Sequence, residues 1–176
     1  MVAAGVLPGT YGYSSSLGMF EIGIGGSGIT GARVLGHTGA PMLPPCLLKD
    51  ELDRYFDGES VEFASKIDLG GVSGFRRGVL EAMRRIPYGR VATYGMLASA
   101  VGRPGAARAV GAACRSNPVG LLVPCHRVVA AWGPGGYSGS DPGNVALKLA
   151  LLGLEGAVPG PGGRFGPPVL LAELPA

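Results

Sequence analysis

Cysteine is scarce in this chain of 176 residues: Cys46, Cys114 and Cys125 are an odd number, and no two of them stand in CxxC spacing. Neither a disulfide framework nor a tetrahedral zinc site is indicated, and at least one thiol stays free. No run of roughly eighteen or more uninterrupted apolar residues occurs, so no membrane-spanning helix is expected. The first residues, "MVAAGVLPGTYGYSSSLGMF", lack the basic flank and long apolar centre of a secretory signal. A soluble, cytoplasmic protein without a membrane partner is the expectation. Polar tracts and internal repeats are missing too. Although 33 glycines and 15 prolines raise the question of low complexity, 47% of the chain is hydrophobic, which favours a folded, turn-rich chain. Its length suits one ordinary domain or two small ones.

The net charge of +3 is unevenly spread. Residues 1–75 carry four basic and eight acidic side chains, residues 76–148 carry ten basic and two acidic, and the remainder one and two. The middle segment is therefore +8, against −4 and −1 on its flanks, and nine of its ten basic residues are arginine. A solvated face is one account of such a run, and a surface for a polyanion is the other. Arginine favours the second, because its planar fork suits phosphates and base edges.

The first seventy residues read as short strands and glycine-rich turns, followed by an amphipathic helix around "LKDELDRYFDG". Within them "GIGGSG" fits GxGxxG, but no βαβ unit follows it, so a hairpin turn is expected there instead of a nucleotide site. Cys46 is expected to be a buried small hydrophobe, and His37 a surface-loop residue. From Phe75 the period becomes helical: Phe75, Val79, Leu80 and Met83 mark one face of a helix ending near Ile86. "ATYGMLASAVG" and "GAARAVGAACRSN", joined by "RPG", have the layout of a helix-turn-helix. In the second, Ala106, Ala107, Ala109, Gly111, Ala112 and Ala113 leave Arg108 and Arg115 as the only long side chains. A helix so trimmed can approach another surface closely, whether a neighbouring helix or a nucleic acid.

After the Asn117-Pro118 turn, "VGLLVPCHRVVAAW" reads as one or two buried strands interrupted by Pro124. "GPGGYSGSDPG" follows as a loop, and Asp141 with Pro142 is a good start for the helix "NVALKLALLGLEG". Glu155 stands in the last turn of that helix, where the macrodipole disfavours negative charge, and close to its apolar face. Such a carboxylate is expected to have a partner inside the protein.

Cys125 and His126 are the reactive pair that the sequence offers. A cysteine with pKa near 8.5 needs a base or a positive field to act as a nucleophile at neutral pH, and His126, oriented by Glu155, could be that base. In an extended segment neighbouring side chains point to opposite faces, so a direct bond between the two is not expected unless Pro124 bends the chain or a water bridges them. On spacing alone, a nucleophilic Cys125 and a buried inert thiol both remain open.

"NPVGLLVPCHRVV", preceded by "AARAVG" and followed by "GGYSG" and "LLGLEG", resembles the O6-alkylguanine-DNA alkyltransferases. The resemblance is dense from about Phe75 to Gly156 and extends weakly upstream through "LDRYFDG" and "KIDLGG". It implies an α+β protein: a ribonuclease H-like αβ domain over residues 1–70, a winged-helix-like domain with a helix-turn-helix over 71–158, and a tail over 159–176. It implies that Cys125 accepts the alkyl group, with His126 as general base through water and Glu155 holding the histidine. Tyr94 would donate toward guanine N3 and the Ser138 backbone N–H toward O6. The carbonyls of Cys125 and Val128 would receive the exocyclic amine. Tyr137 would close one wall, and Asn117 would be the hinge between the helix pair and the reactive segment. Arg108 would fill the space of a guanine flipped out of double-stranded DNA through the minor groove, with Arg115, Ala109 and Gly111 on the same DNA-binding helix. The implied protein is a monomer that reacts once, without a cofactor. No metal is expected either, since one cysteine and one histidine in the N-terminal half are too few for zinc. Two departures from the family pattern are Ser140, where glycine is common, and Leu154, where histidine is common. A non-reacting lesion binder and a cysteine hydrolase are the rival readings.

Overall fold

The computed structural model describes residues 6–35, 37, 39–44, 46–137 and 142–175, with Pro142 and Gly143 by backbone alone. Helices and strands are mixed, and contacts divide the chain into two units: residues up to Gly70 with Pro118–Leu122, and Gly71–Asn117 with the residues from Val123 onward.

The first unit is an antiparallel meander of β1 (Gly9–Ser15), β2 (Gly18–Gly25) and β3 (Gly28–Leu35), in that order. Alternation along β2 buries Phe20, Ile22 and Ile24 and leaves Met19, Glu21 and Gly23 nearer to solvent. Helix α1 (Leu47–Phe56) buries Leu48, Leu52 and Tyr55, spaced at one helical face, and its Phe56 ring meets Tyr13 at 5.8 Å and Phe20 at 5.3 Å. Both sheet edges are covered. Residues Pro41–Leu43 bond β1 at Gly12, while Lys66–Asp68 and Pro118–Gly120 bond β3 at Ile29 and Ala32. Gly25 pairs with Gly28, so "GIGGSG" forms a tight hairpin. His37 is exposed as expected. Cys46, expected to be buried, is only half-buried and stands at the position just before α1.

The second unit carries α2 (Gly74–Arg84), β4 (Ala92–Thr93), α3 (Tyr94–Ala100), α4 (Ala107–Arg115), a 3-10 turn at Cys125–Arg127, β5 (Val128–Val129) and α5 (Pro142–Leu154). The apolar face expected from Phe75 to Met83 is that of α2, with Val79, Leu80 and Met83 wholly buried. The Thr93 hydroxyl accepts from Met96 N–H at 3.2 Å and starts α3, and Val101–Ala106 turns the chain into α4. β4 and β5 pair in parallel, which sets the start of α3 beside the end of the Cys125 turn. Beyond α5 the chain returns alongside Val91, which donates to Val169 O and accepts from Leu171 N–H, closing a core of Val91, Val129, Leu152, Ala157 and Phe165. Among the described residues no helix is long and apolar enough to cross a membrane.

A further expectation is overturned. The stretch "VGLLVPCHRVVAAW" is not one or two continuous strands. Val119 makes an isolated bridge to Ala32, Leu121 adopts a left-handed φ of 72°, and Cys125–Arg127 is a 3-10 turn ahead of the two-residue β5. Pro124 has no N–H to give a ladder, and its carbonyl instead accepts from Arg127 N–H at 2.9 Å.

Gly28 supplies the test of the meander. Its φ is +152°, and a Cβ there would lie 2.5 Å from the Lys66 carbonyl oxygen. Gly28→Ala is expected to lower unfolding stability by about 2 kcal/mol. Gly26→Ala, with nothing within 4 Å of the added carbon, is expected to change it little, and urea denaturation of both variants measures the contrast.

Candidate active site

The 3-10 turn changes what the Cys125-His126 pair can do. Because the backbone curls here, the two side chains are not forced to opposite faces of a strand. His126 is fully buried, and its Nε2 lies 2.7 Å from Glu155 Oε1. Glu155 directly follows α5, its N–H still bonded to Leu151 O, so the helix that buries Leu151 and Leu152 also carries the carboxylate inside. The carboxylate is saturated with donors: Arg127 Nε reaches Oε2 at 2.8 Å, a second Arg127 nitrogen reaches Oε1 at 2.9 Å, and Gly89 N–H donates to Oε2 at 3.2 Å. Arg127 also donates to Ile86 O at 2.7 Å. Gly89 cannot be replaced cheaply, since its φ is +70° and a Cβ would lie 2.8 Å from Glu155 O.

The electrostatics follow from this packing. Burial pushes the Glu155 carboxyl up, but His126 and Arg127 outweigh it and hold the group below the ordinary carboxylate range. An ionised carboxylate only accepts hydrogen bonds, so His126 presents Nε2–H to it and keeps the lone pair on Nδ1. Burial lowers the imidazole pKa, which keeps that ring neutral. His126 Nδ1 is buried with no protein partner among the described residues, as a base waiting for a proton requires.

Cys125 is a thiol in the resting protein. Burial raises its pKa, while hydrogen bonds from Asn117 and Tyr137 and the charge of Lys148 pull the other way. Asn117 Nδ2 also donates to Val123 O at 2.8 Å, so this side chain ties the end of α4 to the reactive turn. A cleft of about 480 Å³ opens beside the sulfur, lined by Tyr94, Arg108, Gly111, Cys114, Arg115 and Tyr137 among others. Burial carries the Tyr94 phenol up to about 12, and its hydroxyl lies 3.4 Å from Gly136 O. A neutral donor is therefore held at the cleft across the physiological range. Arg108 and Ala109 lie exposed on α4.

The structure thus brings Cys125, Tyr94, Arg108, Gly111, Arg115 and Tyr137 to one cleft, with Asn117 against the sulfur and His126 and Glu155 behind the turn. Val128 follows the turn, and its carbonyl accepts from Lys148. Ser138, Ser140 and Asp141 lie outside the described residues.

Arg127 and Lys148 were not singled out by sequence reasoning as members of the site, whereas Cys114, in the second helix, is expected near it. Arg127 is the second partner of Glu155. Cys114 lines the same cleft as Cys125, its thiol pushed by burial to about 12. Lys148 is 0% exposed, donating at 2.5 Å to Val128 O and 3.2 Å to Gly136 O. Burial brings its pKa down from 10.5 to about 8, which corresponds to on the order of 3 kcal/mol spent on keeping a charge inside. A signal for it was present: Lys148 is the one charged residue within the apolar run "NVALKLALLGL", two helical turns before Glu155.

Comparison with known proteins gives a consistent result. Residues 74–157 match the family model described as 6-O-methylguanine DNA methyltransferase, DNA binding domain. The chain is 49% identical over 106 residues to the methylated-DNA--protein-cysteine methyltransferase of Mycobacterium leprae, covering 60% of this chain and 61% of that protein. It is 47% identical over 110 residues to that of Salmonella typhimurium, covering 62% of each. The aligned part thus spans about three fifths of the length of these relatives. Among solved structures, the O6-methylguanine methyltransferase of Mycobacterium tuberculosis matches with a TM-score of 0.74 and 36% identity, covering 85% of this chain and 93% of that one. Mycobacterium tuberculosis OGT in complex with DNA matches with a TM-score of 0.70 and 37% identity over 83% and 91%.

The Glu155 network carries a measurable linkage. Both Glu155 and His126 have depressed folded-state pKa values, so the unfolded chain binds the extra protons, from about pH 6.5 downward at the histidine and from about pH 4.5 downward at the carboxylate, and stability falls as pH falls through these ranges. Glu155→Gln is expected to flatten the slope below about pH 4.5 while that of His126 persists above it, and to cost about 3–5 kcal/mol at neutral pH, because it strands the Arg127 guanidinium. Adding Arg127→Met recovers at least about 1 kcal/mol of that loss. Urea denaturation across the pH range checks both.

Proposed function

Because this chain belongs to the O6-methylguanine DNA methyltransferase family, we propose that it repairs DNA by moving the alkyl group of O6-alkylguanine irreversibly onto its own Cys125. The observation that carries this reading is the cleft in which the Cys125 sulfur meets Tyr94 and Arg108, backed by the buried His126-Glu155 pair. His126 Nδ1 takes the thiol proton through a water. The thiolate attacks the alkyl carbon, the carbon–oxygen bond breaks, and Tyr94 donates toward guanine N3 so that guanine leaves neutral. No cofactor or metal takes part, and each molecule reacts once. Carbonyls of Cys125 and Val128 receive the exocyclic amine, the Ser138 N–H bonds O6, Tyr137 closes the wall, and Asn117 is the hinge.

The partner is double-stranded DNA. The small side chains around Arg108, Ala109 and Gly111 among them, let α4 enter a narrow minor groove, Arg108 fills the space of the flipped nucleotide, and Arg115 adds a phosphate contact. Affinity falls with salt by about 0.9 in log K per log salt for each phosphate contact. In this reading residues 1–70 are a ribonuclease H-like domain, 71–158 the winged-helix-like DNA-binding and alkyl-acceptor domain, and 159–176 a tail, in a cytoplasmic monomer.

Incubation with a duplex containing O6-methylguanine is expected to add one methyl group to the tryptic peptide Ser116–Arg127 and to stop after one equivalent. An unmodified peptide beside unrepaired DNA overturns the reading and favours a non-reacting lesion binder. Repeated turnover of an ester substrate marks a cysteine hydrolase instead.

A further inference from the structure

Lys148 is not needed by the mechanism just described, yet it is buried to the same degree as the largest core side chains. No carboxylate pairs with it among the described residues. Its charge is held by neutral groups: the carbonyls of Val128 and Gly136, and the Tyr94 ring, whose centroid lies 6.0 Å from Nζ. Two of its three N–H groups are thereby used. Val128 directly follows the Cys125–Arg127 turn, and Gly136 directly precedes Tyr137, which hydrogen-bonds the Cys125 sulfur. The ammonium therefore braces the chain on both sides of the sulfur.

The other cations near the turn are accounted for. Arg127 is committed to Glu155 and Ile86 O, and a protonated His126 would share the same carboxylate. Arg108 and Arg115 line the outer cleft and are exposed to solvent. The titratable groups that bear on Lys148 are Cys125 and Cys114, which favour its charge, while His126, Tyr94 and Tyr137 complete the surroundings. A buried cation lacking an anion becomes paired at the moment that a nearby thiol ionises.

We propose that Lys148 is a positioning residue and the counter-charge of the reactive sulfur: its ammonium, fixed by the Val128 and Gly136 carbonyls, stabilises the Cys125 thiolate left when His126 takes the proton. The same contact orients the Val128 carbonyl. Helix α5 then grips the reactive segment twice, through Lys148 and, seven residues on, through Glu155.

This inference rests on Cys125 being the alkyl acceptor, and its test separates the two. Alkylation of Cys125 by iodoacetamide is followed against pH in the full chain, read on the Ser116–Arg127 peptide so that Cys46 and Cys114 do not contribute. Lys148→Met is expected to move the midpoint of that profile upward by about one pH unit or more and to slow methyl uptake from the duplex by roughly 10-fold or more, while binding the duplex as the parent does. Lys148→Arg keeps the charge and is expected to restore most of the midpoint. If Lys148→Met does not fold, Lys148→Gln, which drops the charge but keeps a donor, is read in its place. A midpoint unchanged in the neutral variant overturns the counter-charge role even where the parent takes up methyl. A shifted midpoint in a parent that takes up no methyl upholds that role and rejects the repair reading instead.

Discussion

The buried carboxylate of Glu155 is the constraint on which the reactive region depends. It is placed at the end of a helix, where the backbone field is unfavourable, and away from water, where an unpaired anion could not persist. Among the described residues His126, two nitrogens of Arg127 and the Gly89 amide answer it. Together they tie three pieces of chain to the same point. The 3-10 turn is held through two consecutive residues, α5 through Glu155 itself, and the loop before β4 through Gly89. Removing the charge would release all of them together, which is why the carboxylate acts on the imidazole and on the fold at once.

From that point the chemistry is a matter of which group keeps its proton. The carboxylate fixes the imidazole tautomer, burial keeps the ring neutral, and the free nitrogen is left on the side away from Glu155. Burial also keeps Cys125 protonated at rest. In the proposed reaction such a thiol, ionised only when a base and a counter-charge cooperate, is protected from casual electrophiles. The parallel pairing of β4 with β5 then sets Tyr94, first residue of α3, close to the products of that ionisation.

Much of the helical layout could be read from residue pattern, because α1, α2 and α5 each repeat their apolar residues at helical spacing and α3 and α4 are bounded by Thr93, Gly102 and Gly105. The hairpin at Gly25–Gly28 followed from turn chemistry. The buried partner of Glu155 was foreseeable from an acid misplaced at a helix end, and His126 was named for it. The segment through Val119–Arg127 was misread as strand because apolar runs do not distinguish an extended chain from a series of turns. Pro124 removed the amide that a ladder needs, and Leu121 sits in a left-handed conformation that no sequence rule assigns to leucine. Arg127 and Lys148 were hidden for a different reason: a cation counted in a basic segment is taken for a surface group until the fold shows it turned inward.

The tautomer and charge of one ring test this account most directly. Nitrogen-15 NMR of the His126 imidazole, followed from about pH 5 to 8, is predicted to report a neutral ring protonated on Nε2 at neutral pH, with its titration moved below the ordinary histidine pKa of about 6.5. A ring that titrates there, or one protonated on Nδ1, would contradict the claim that the Glu155 carboxylate sets the base.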